Sequence, residues 1–265
     1  MAGSSQQWAE HKVRVAGTDL VMIKGGSGRP LLVLHDELGH AGWLKWHSAL
    51  ARTHTLWIPL QPGFGKSPKI DWIMNLRDLA CFYARVIREM ELAPIDVIGF
   101  SLGGWIAAEM AVNDARQFRR MILVAPLGIR PPEGEIMDMF VVTARKYLER
   151  SVLNTWTPEF ARLYGGVERM PEQYEALEDA RAEVARLAWQ PYAHNPSLPN
   201  LLEGISGLPA LLIWGRQDPV IPLSAGEVYR KSIPGAELAV LEGCGHRPEI
   251  EKSDEFIMRV ASFLD

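Results

Sequence analysis

The amino-acid sequence predicts an α/β protein with a mostly parallel central sheet and helices on both faces. Short, continuous apolar runs recur along the 265 residues, and helical patterns lie between several of them. A run of this kind is typical of a strand that is buried on both faces of a sheet. Strands that alternate with helices build a parallel sheet, and right-handed crossovers between the strands place helices on both sides.

The first predicted element is a hairpin, whose strands at 12–15 and 20–24 flank a turn at 17–19. Buried strands are then predicted at 31–35, 55–59, 95–99, 121–125, 210–214 and 237–241. Helices are predicted at 72–92, 102–112, 225–232 and 253–264. These elements account for the sheet and for most of its helices.

One long segment, from 127 to 207, breaks the alternation. It contains no buried-strand run, is rich in charge at 172–189 and is punctuated by prolines and by the pair Gly165-Gly166. This pattern is typical of helices joined by loops. We therefore expect a helical insertion at 127–207 in a core made of residues 1–126 and 208–265.

Composition narrows the class of protein. A net charge of −4 and a pI near 6.0 provide no long-range attraction to nucleic acid or to acidic membranes. Two cysteines are too few for a disulfide framework. No stretch approaches the roughly 18 apolar residues of a membrane span, and the N-terminus has no apolar region typical of a signal peptide. We expect a cytoplasmic protein without a nucleic-acid or membrane partner.

The motif that carries chemistry is Gly99-Phe100-Ser101-Leu102-Gly103, which follows a predicted strand and precedes a predicted helix. It matches G-x-S-x-G in the required context. The sharp turn lifts the serine hydroxyl above the sheet at the N-terminus of the helix. There the helix dipole and the free N–H of Leu102 favour developing negative charge. Ser101 is therefore the predicted nucleophile.

A serine nucleophile needs a base, and the base needs an acid that orients it. Asp218 follows the strand at 210–214, at the sheet edge where ligands bind in such folds. The strand at 237–241 leads to a glycine-containing loop that presents His246. Serine, acid and histidine thus come in the chain order stated for one class of hydrolase.

From about residue 28 onward, the chain resembles the α/β-hydrolase superfamily. The matching segments are 31–35, 62–67, 99–104, 214–218 and 245–246. The resemblance implies the α/β-hydrolase fold, with 127–207 as the family's variable cap. It also implies catalysis by Ser101, Asp218 and His246 on a small, partly apolar substrate, with neither metal nor organic cofactor. Whether the protein is a monomer or a homodimer stays open.

The loop after the strand at 31–35 departs from the family pattern. Relatives usually have His-Gly there, whereas this chain has His35-Asp36-Glu37. By resemblance, the backbone N–H groups of Glu37 and Leu102 form the oxyanion hole. Two inward-pointing carboxylates would oppose an oxyanion, so we expect both side chains to turn outward. Binding of a polar or cationic substrate group by Glu37 is the alternative.

Two other motifs lack the residue spacing that their functions require. Gly65-Lys66-Ser67 resembles the end of a phosphate-binding loop, but the required first glycine is replaced by Leu60. His35 and His40 flank a glutamate, yet they are five residues apart in a loop instead of four apart on a helix. We expect neither a nucleotide site nor a metal site.

Three functions remain open on this reading. The favoured one is hydrolysis of a small carboxylic ester through an acyl-enzyme. A second is hydrolysis of a C–C bond in a vinylogous diketone, but relatives with that activity often carry Asn before the serine and Trp after the histidine. This chain has Phe100 and Arg247 there. A third is a non-enzymatic receptor for a small molecule on the same fold.

Overall fold

A central eight-stranded sheet organises the molecule. The computed structural model describes residues 8–165 and 170–265. The strands are β1 (Trp8–Val15), β2 (Thr18–Gly26), β3 (Arg29–Leu34), β4 (His54–Pro59), β5 (Ile95–Phe100), β6 (Phe118–Val124), β7 (Ala210–Gly215) and β8 (Glu237–Leu241). They lie in the order β1-β2-β4-β3-β5-β6-β7-β8.

Most neighbouring strands of this sheet are parallel. Only β1 with β2 and β2 with β4 pair antiparallel, whereas β3 pairs parallel with β4 and β5, and the order continues in parallel through β6, β7 and β8. The predicted fold class is confirmed, and each predicted strand is present with ends that differ by a few residues. One edge strand departs from the expectation, because β8 pairs on one side only and most of its residues are partly exposed.

The helices outside the long segment are α1 (Lys45–Leu50), α2 (Leu76–Glu89), α3 (Leu102–Asn113), α8 (Leu223–Ser232), α9 (Pro248–Glu251) and α10 (Ser253–Leu264), and within it α4 (Ala144–Arg150), α5 (Pro158–Tyr164), α6 (Met170–Ala188) and α7 (Leu198–Leu202). Most of the helices fall into two sets of mutual contacts, and α4 and α6 contact each other as a separate pair. Helix α3 contacts α2 and α7, and α7 contacts α8, while α10 contacts α1 and α9. This division is the one expected for helices on two faces of a sheet.

Helix α2 is shorter than its apolar pattern predicts. The sequence pattern begins at Trp72, but the helix begins at Leu76 because Asn75 caps it. The Oδ1 atom of Asn75 accepts a hydrogen bond of 3.0 Å from the backbone N–H of Asp78. A side chain of this type satisfies an N–H group that has no partner within the helix.

Between β6 and β7, the described residues form helices and loops and no strand. This is the secondary structure expected for the insertion, although the boundaries at 127 and 207 stay a prediction. Across the part of the chain that is described, no helix combines the length and the apolar character needed to cross a membrane.

Candidate active site

Ser101 lies at the turn between β5 and α3 in a strained backbone conformation. Its φ is +45° and its ψ is −108°, a combination that L-residues rarely adopt. The flanking glycines make this turn possible. A Cβ atom on Gly99 would overlap the backbone of Gly103, and one on Gly103 would overlap the carbonyl oxygens of Leu34 and His35. The G-x-S-x-G pattern therefore reflects close packing of backbone against backbone.

Asp218 follows β7 at the same edge of the sheet, and its carboxylate is held by three hydrogen-bond partners. Its Oδ1 atom accepts hydrogen bonds from the backbone N–H groups of Val220 and Ile221, at 2.8 and 2.9 Å. Its Oδ2 atom lies 2.8 Å from Nδ1 of His246. These contacts fix the orientation of the carboxylate and, through it, that of the imidazole ring.

His246 lies in the loop between β8 and α9, and its main chain is bound to the segment between β6 and β7. Its backbone N–H donates to the carbonyl oxygen of Ser151 at 2.8 Å. Burial of the ring lowers its pKa, but the Asp218 carboxylate and the nearby Glu37 carboxylate outweigh burial and the opposing charge of Arg247. The pKa of His246 is therefore raised above its ordinary value.

The structure brings Asp218 and His246 into direct contact and leaves two reactive atoms open. Within the described ranges, neither Oγ of Ser101 nor Nε2 of His246 has a hydrogen-bond partner. Both side chains are almost fully covered, with residue exposures of 2% and 4%. Catalytic hydrogen bonds are often loose in unliganded enzymes and tighten once substrate is bound. The described residues thus place a hydroxyl, an imidazole and a carboxylate at one edge of the sheet, and their catalytic roles stay a prediction.

The expectation that Asp36 and Glu37 turn outward is wrong. Glu37 is fully buried, and its Oε1 atom accepts a hydrogen bond of 2.9 Å from the hydroxyl of Tyr147 on α4. That oxygen lies 4.0 Å from Nε2 of His246. Asp36 is also mostly covered, and its carboxylate is bound by Arg247. The carboxylates turn inward because a buried cation and a phenol hydroxyl supply partners there.

Arg247 is the residue whose role the sequence does not reveal. Its side chain is buried, and its Nη1 and Nε atoms donate to Asp36 and to Oγ of Ser151, the latter at 2.8 Å. Its Nη2 atom lies 3.7 Å from Oε1 of Glu37. The only signal in the sequence is the departure from the family pattern after His246, and no local pattern indicates that this arginine is buried.

The predicted oxyanion donors, the backbone N–H groups of Glu37 and Leu102, lie after β3 and at the start of α3. Their role in binding an oxyanion stays a prediction. His35 braces the first of these two positions, because its Nε2 accepts a 3.0 Å hydrogen bond from the backbone N–H of Gln61. Burial lowers the pKa of His35, which favours the neutral ring that this bond requires.

Two further features of the described residues concern metal ligands and a thiol near His246. Among the described residues, no group of three or more His, Cys, Asp and Glu side chains is arranged to hold a metal ion. Cys244 lies two residues before His246 and is buried, and burial raises the pKa of its thiol well above the ordinary value. A neutral, buried thiol is a poor nucleophile.

Known proteins resemble this chain both in sequence and in structure. The model of the alpha/beta hydrolase family matches residues 31–259. A curated relative, the 2-hydroxymuconate semialdehyde hydrolase of Pseudomonas sp. (strain CF600), is 27% identical over 268 residues, which cover 96% of this chain and 93% of the relative.

Solved structures with the same fold include a membrane phospholipase A described as a bacterial virulence factor, with a TM-score of 0.82, 24% identity and coverage of 98% of this chain and 86% of that one. An esterase from Exiguobacterium antarcticum has a TM-score of 0.76 and 19% identity, with coverage of 98% and 99%. At these identities, the similarity is one of fold.

Proposed function

Because the chain belongs to the α/β-hydrolase family, we propose that it is a serine hydrolase that cleaves small carboxylic esters through an acyl-enzyme on Ser101. The observation that carries this proposal is the 2.8 Å contact between Asp218 Oδ2 and His246 Nδ1, which leaves Nε2 open at the sheet edge where Ser101 lies. One fold hosts many reactions, so the assignment depends on the site more than on the fold.

The proposed mechanism uses groups of this chain and water. His246 removes the proton from Ser101 as Oγ attacks the ester carbonyl, and Asp218 stabilises the imidazolium that forms. The backbone N–H groups of Leu102 and Glu37 bind the oxyanion, an interaction worth about 3 kcal/mol per donor. His246 then protonates the leaving alcohol. Water, activated by the same histidine, releases the acid and restores the serine.

A second candidate is hydrolysis of a C–C bond, which the similarity to 2-hydroxymuconate semialdehyde hydrolase favours. The residues at two sequence positions favour the ester reaction instead. Phe100 precedes the serine, and Arg247 follows the histidine, where C–C hydrolases often carry Asn and Trp. Arg247 also donates from Nε and Nη1 to Ser151 and Asp36, so this part of its guanidinium is engaged within the protein.

The decisive experiment is a matched panel of aryl esters and ring-fission dienones, tested with the wild type and with Ser101→Ala. We expect esters to be hydrolysed by the wild type alone and a fluorophosphonate to label Ser101. Undiminished turnover by Ser101→Ala, or labelling at another residue, would contradict the mechanism. Turnover of the dienones alone would favour the C–C reaction, and a single slow turnover with every ester would favour a receptor.

A further inference from the structure

A buried carboxylate oxygen beside the base is not used by the mechanism. Oε1 of Glu37 accepts the hydrogen bond from Tyr147, but Oε2 has no hydrogen-bond partner among the residues that the structure describes. A buried polar atom without a partner costs free energy, and an ionised one costs more. A hydrogen-bond donor on a bound ligand would satisfy an unpaired atom of this kind next to a reactive centre.

The surrounding charges do not neutralise this carboxylate fully. Arg247 is the nearby cation, and its Nη1 and Nε donate to Asp36 and Ser151. Its Nη2 lies 3.7 Å from Oε1 of Glu37 and makes no hydrogen bond within the described part of the chain. One guanidinium thus faces two carboxylates, those of Asp36 and Glu37.

The other charged groups around His246 add no positive charge at rest. Asp218 is bound to Nδ1 of the ring. Burial raises the pKa of Glu249 to about 7, so this carboxyl is partly protonated near neutrality. The charged groups around Nε2 therefore carry an excess of negative charge. Such a field attracts cations and hydrogen-bond donors and repels carboxylates.

Glu37 lies near the place that the leaving group of an ester would occupy in the proposed reaction. In the proposed reaction, the leaving-group oxygen must come within hydrogen-bond distance of Nε2 of His246. Oε1 of Glu37 lies 4.0 Å from that nitrogen. A donor placed two or three bonds beyond the leaving oxygen therefore comes close to the carboxylate of Glu37, whose Oε2 has no hydrogen-bond partner among the described residues.

We infer that Glu37 is a specificity residue that binds a cationic or hydrogen-bond-donating group on the leaving alcohol, so that the preferred substrates are aminoalkyl esters. This inference rests on the proposed ester hydrolysis and narrows its substrate class. A carboxylate at the same position of the alcohol is repelled by the carboxylates of Glu37 and its neighbours.

Three butyrate esters of nearly equal shape test this specificity. The 2-(dimethylamino)ethyl ester carries a protonated amine at pH 7, the 3-methylbutyl ester is its neutral isostere, and the 2-carboxyethyl ester carries an anion. We expect kcat/KM of the wild type to be about 10- to 100-fold higher for the cationic than for the neutral ester, as for hydrogen bonds to charged groups. The anionic ester should be slower than both.

The matched variant is Glu37→Gln, which keeps the side-chain shape and an oxygen that can accept from Tyr147. The ratio of kcat/KM for the cationic ester to that for the neutral ester should fall in this variant, and the ratio is the readout because the substitution also changes the absolute rate. Glu227→Gln, at a partly exposed position of α8, is the charge control and should retain the wild-type ratio. A second readout avoids substitution altogether, because 2-(dimethylamino)ethanol should inhibit the wild type more strongly than 3-methylbutan-1-ol.

The outcomes separate the inference from the function on which it rests. If the neutral ester is not hydrolysed in a manner that depends on Ser101, the proposed function fails. If it is hydrolysed, but the cationic-to-neutral ratio is the same in the wild type and in Glu37→Gln, the inference alone is overturned. Equal inhibition of the wild type by the two alcohols would overturn it as well.

Discussion

The strained backbone at Ser101 should lower the stability of the protein, and two substitutions at this position can measure by how much. Ser101→Ala and Ser101→Gly both remove the hydroxyl, which is buried without a partner in the described structure. Both should therefore be inactive. They differ only in the Cβ atom, which alanine keeps and glycine lacks. The difference between their stabilities reports the cost of holding a side chain at a φ of +45° and a ψ of −108°.

The size of this difference follows from three opposing contributions. A residue held in a sparsely populated backbone region costs about 3 kcal/mol at the upper end, and this ψ lies outside even the left-handed helical region. Glycine loses up to about 1 kcal/mol more backbone freedom on folding, and removal of a buried methyl costs about 0.8 kcal/mol. Ser101→Gly should therefore be about 1 kcal/mol more stable than Ser101→Ala.

Equilibrium unfolding in urea measures this difference, with the fluorescence of the nine tryptophans as the signal. A higher transition midpoint for Ser101→Gly at an unchanged slope is the expected result. If Ser101→Gly is as stable as Ser101→Ala, or less stable, the backbone strain at this position is at most about 1.8 kcal/mol, and the value of about 3 kcal/mol used for this turn is refuted.

Three further substitutions test the contacts of the catalytic loop. Asp218→Asn removes the charge that stabilises the imidazolium, and kcat should fall by about 10⁴, as in serine proteases, in steady-state assays. A nearly silent change would mean that another carboxylate orients the ring. The rate should rise with pH through the raised pKa of His246, because only the neutral ring accepts a proton. Glu37→Gln should move this rise to lower pH, since a nearby negative charge is lost, and an unmoved profile would count against the contact. Ser151→Ala leaves Nε of Arg247 without its acceptor and should lower the free energy of unfolding by about 2 kcal/mol in urea titrations. An unchanged free energy would show that water replaces the hydroxyl.

The strands could be predicted because their signal is local. Runs such as 95–99 and 210–214 are apolar at nearly every position, and β5 and β7 are buried along their whole length. The ends of elements were harder to predict, since a cap can override an apolar pattern. Helix α2 begins at Leu76 and not at Trp72 because the side chain of Asn75 satisfies its first turn.

In the candidate site, too, the local features could be predicted and the long-range contacts could not. Ser101, Asp218 and His246 were predicted from short motifs at strand ends, and the hydrogen bond between Asp218 and His246 is present. The orientation of Glu37 was predicted wrongly. Its carboxylate meets a hydroxyl 110 residues away, at Tyr147, and no pattern near residue 37 records that partner.

The sequence by itself determined which strands form the sheet and which residues stand at the nucleophile turn, because periodicity, glycines and chain order are local properties. Only the tertiary structure decided the electrostatics beside that turn. Asp36 and Arg247 are 211 residues apart in the chain and are joined in the fold. A buried carboxylate points towards its partners, and the identity of those partners depends on how distant segments pack together.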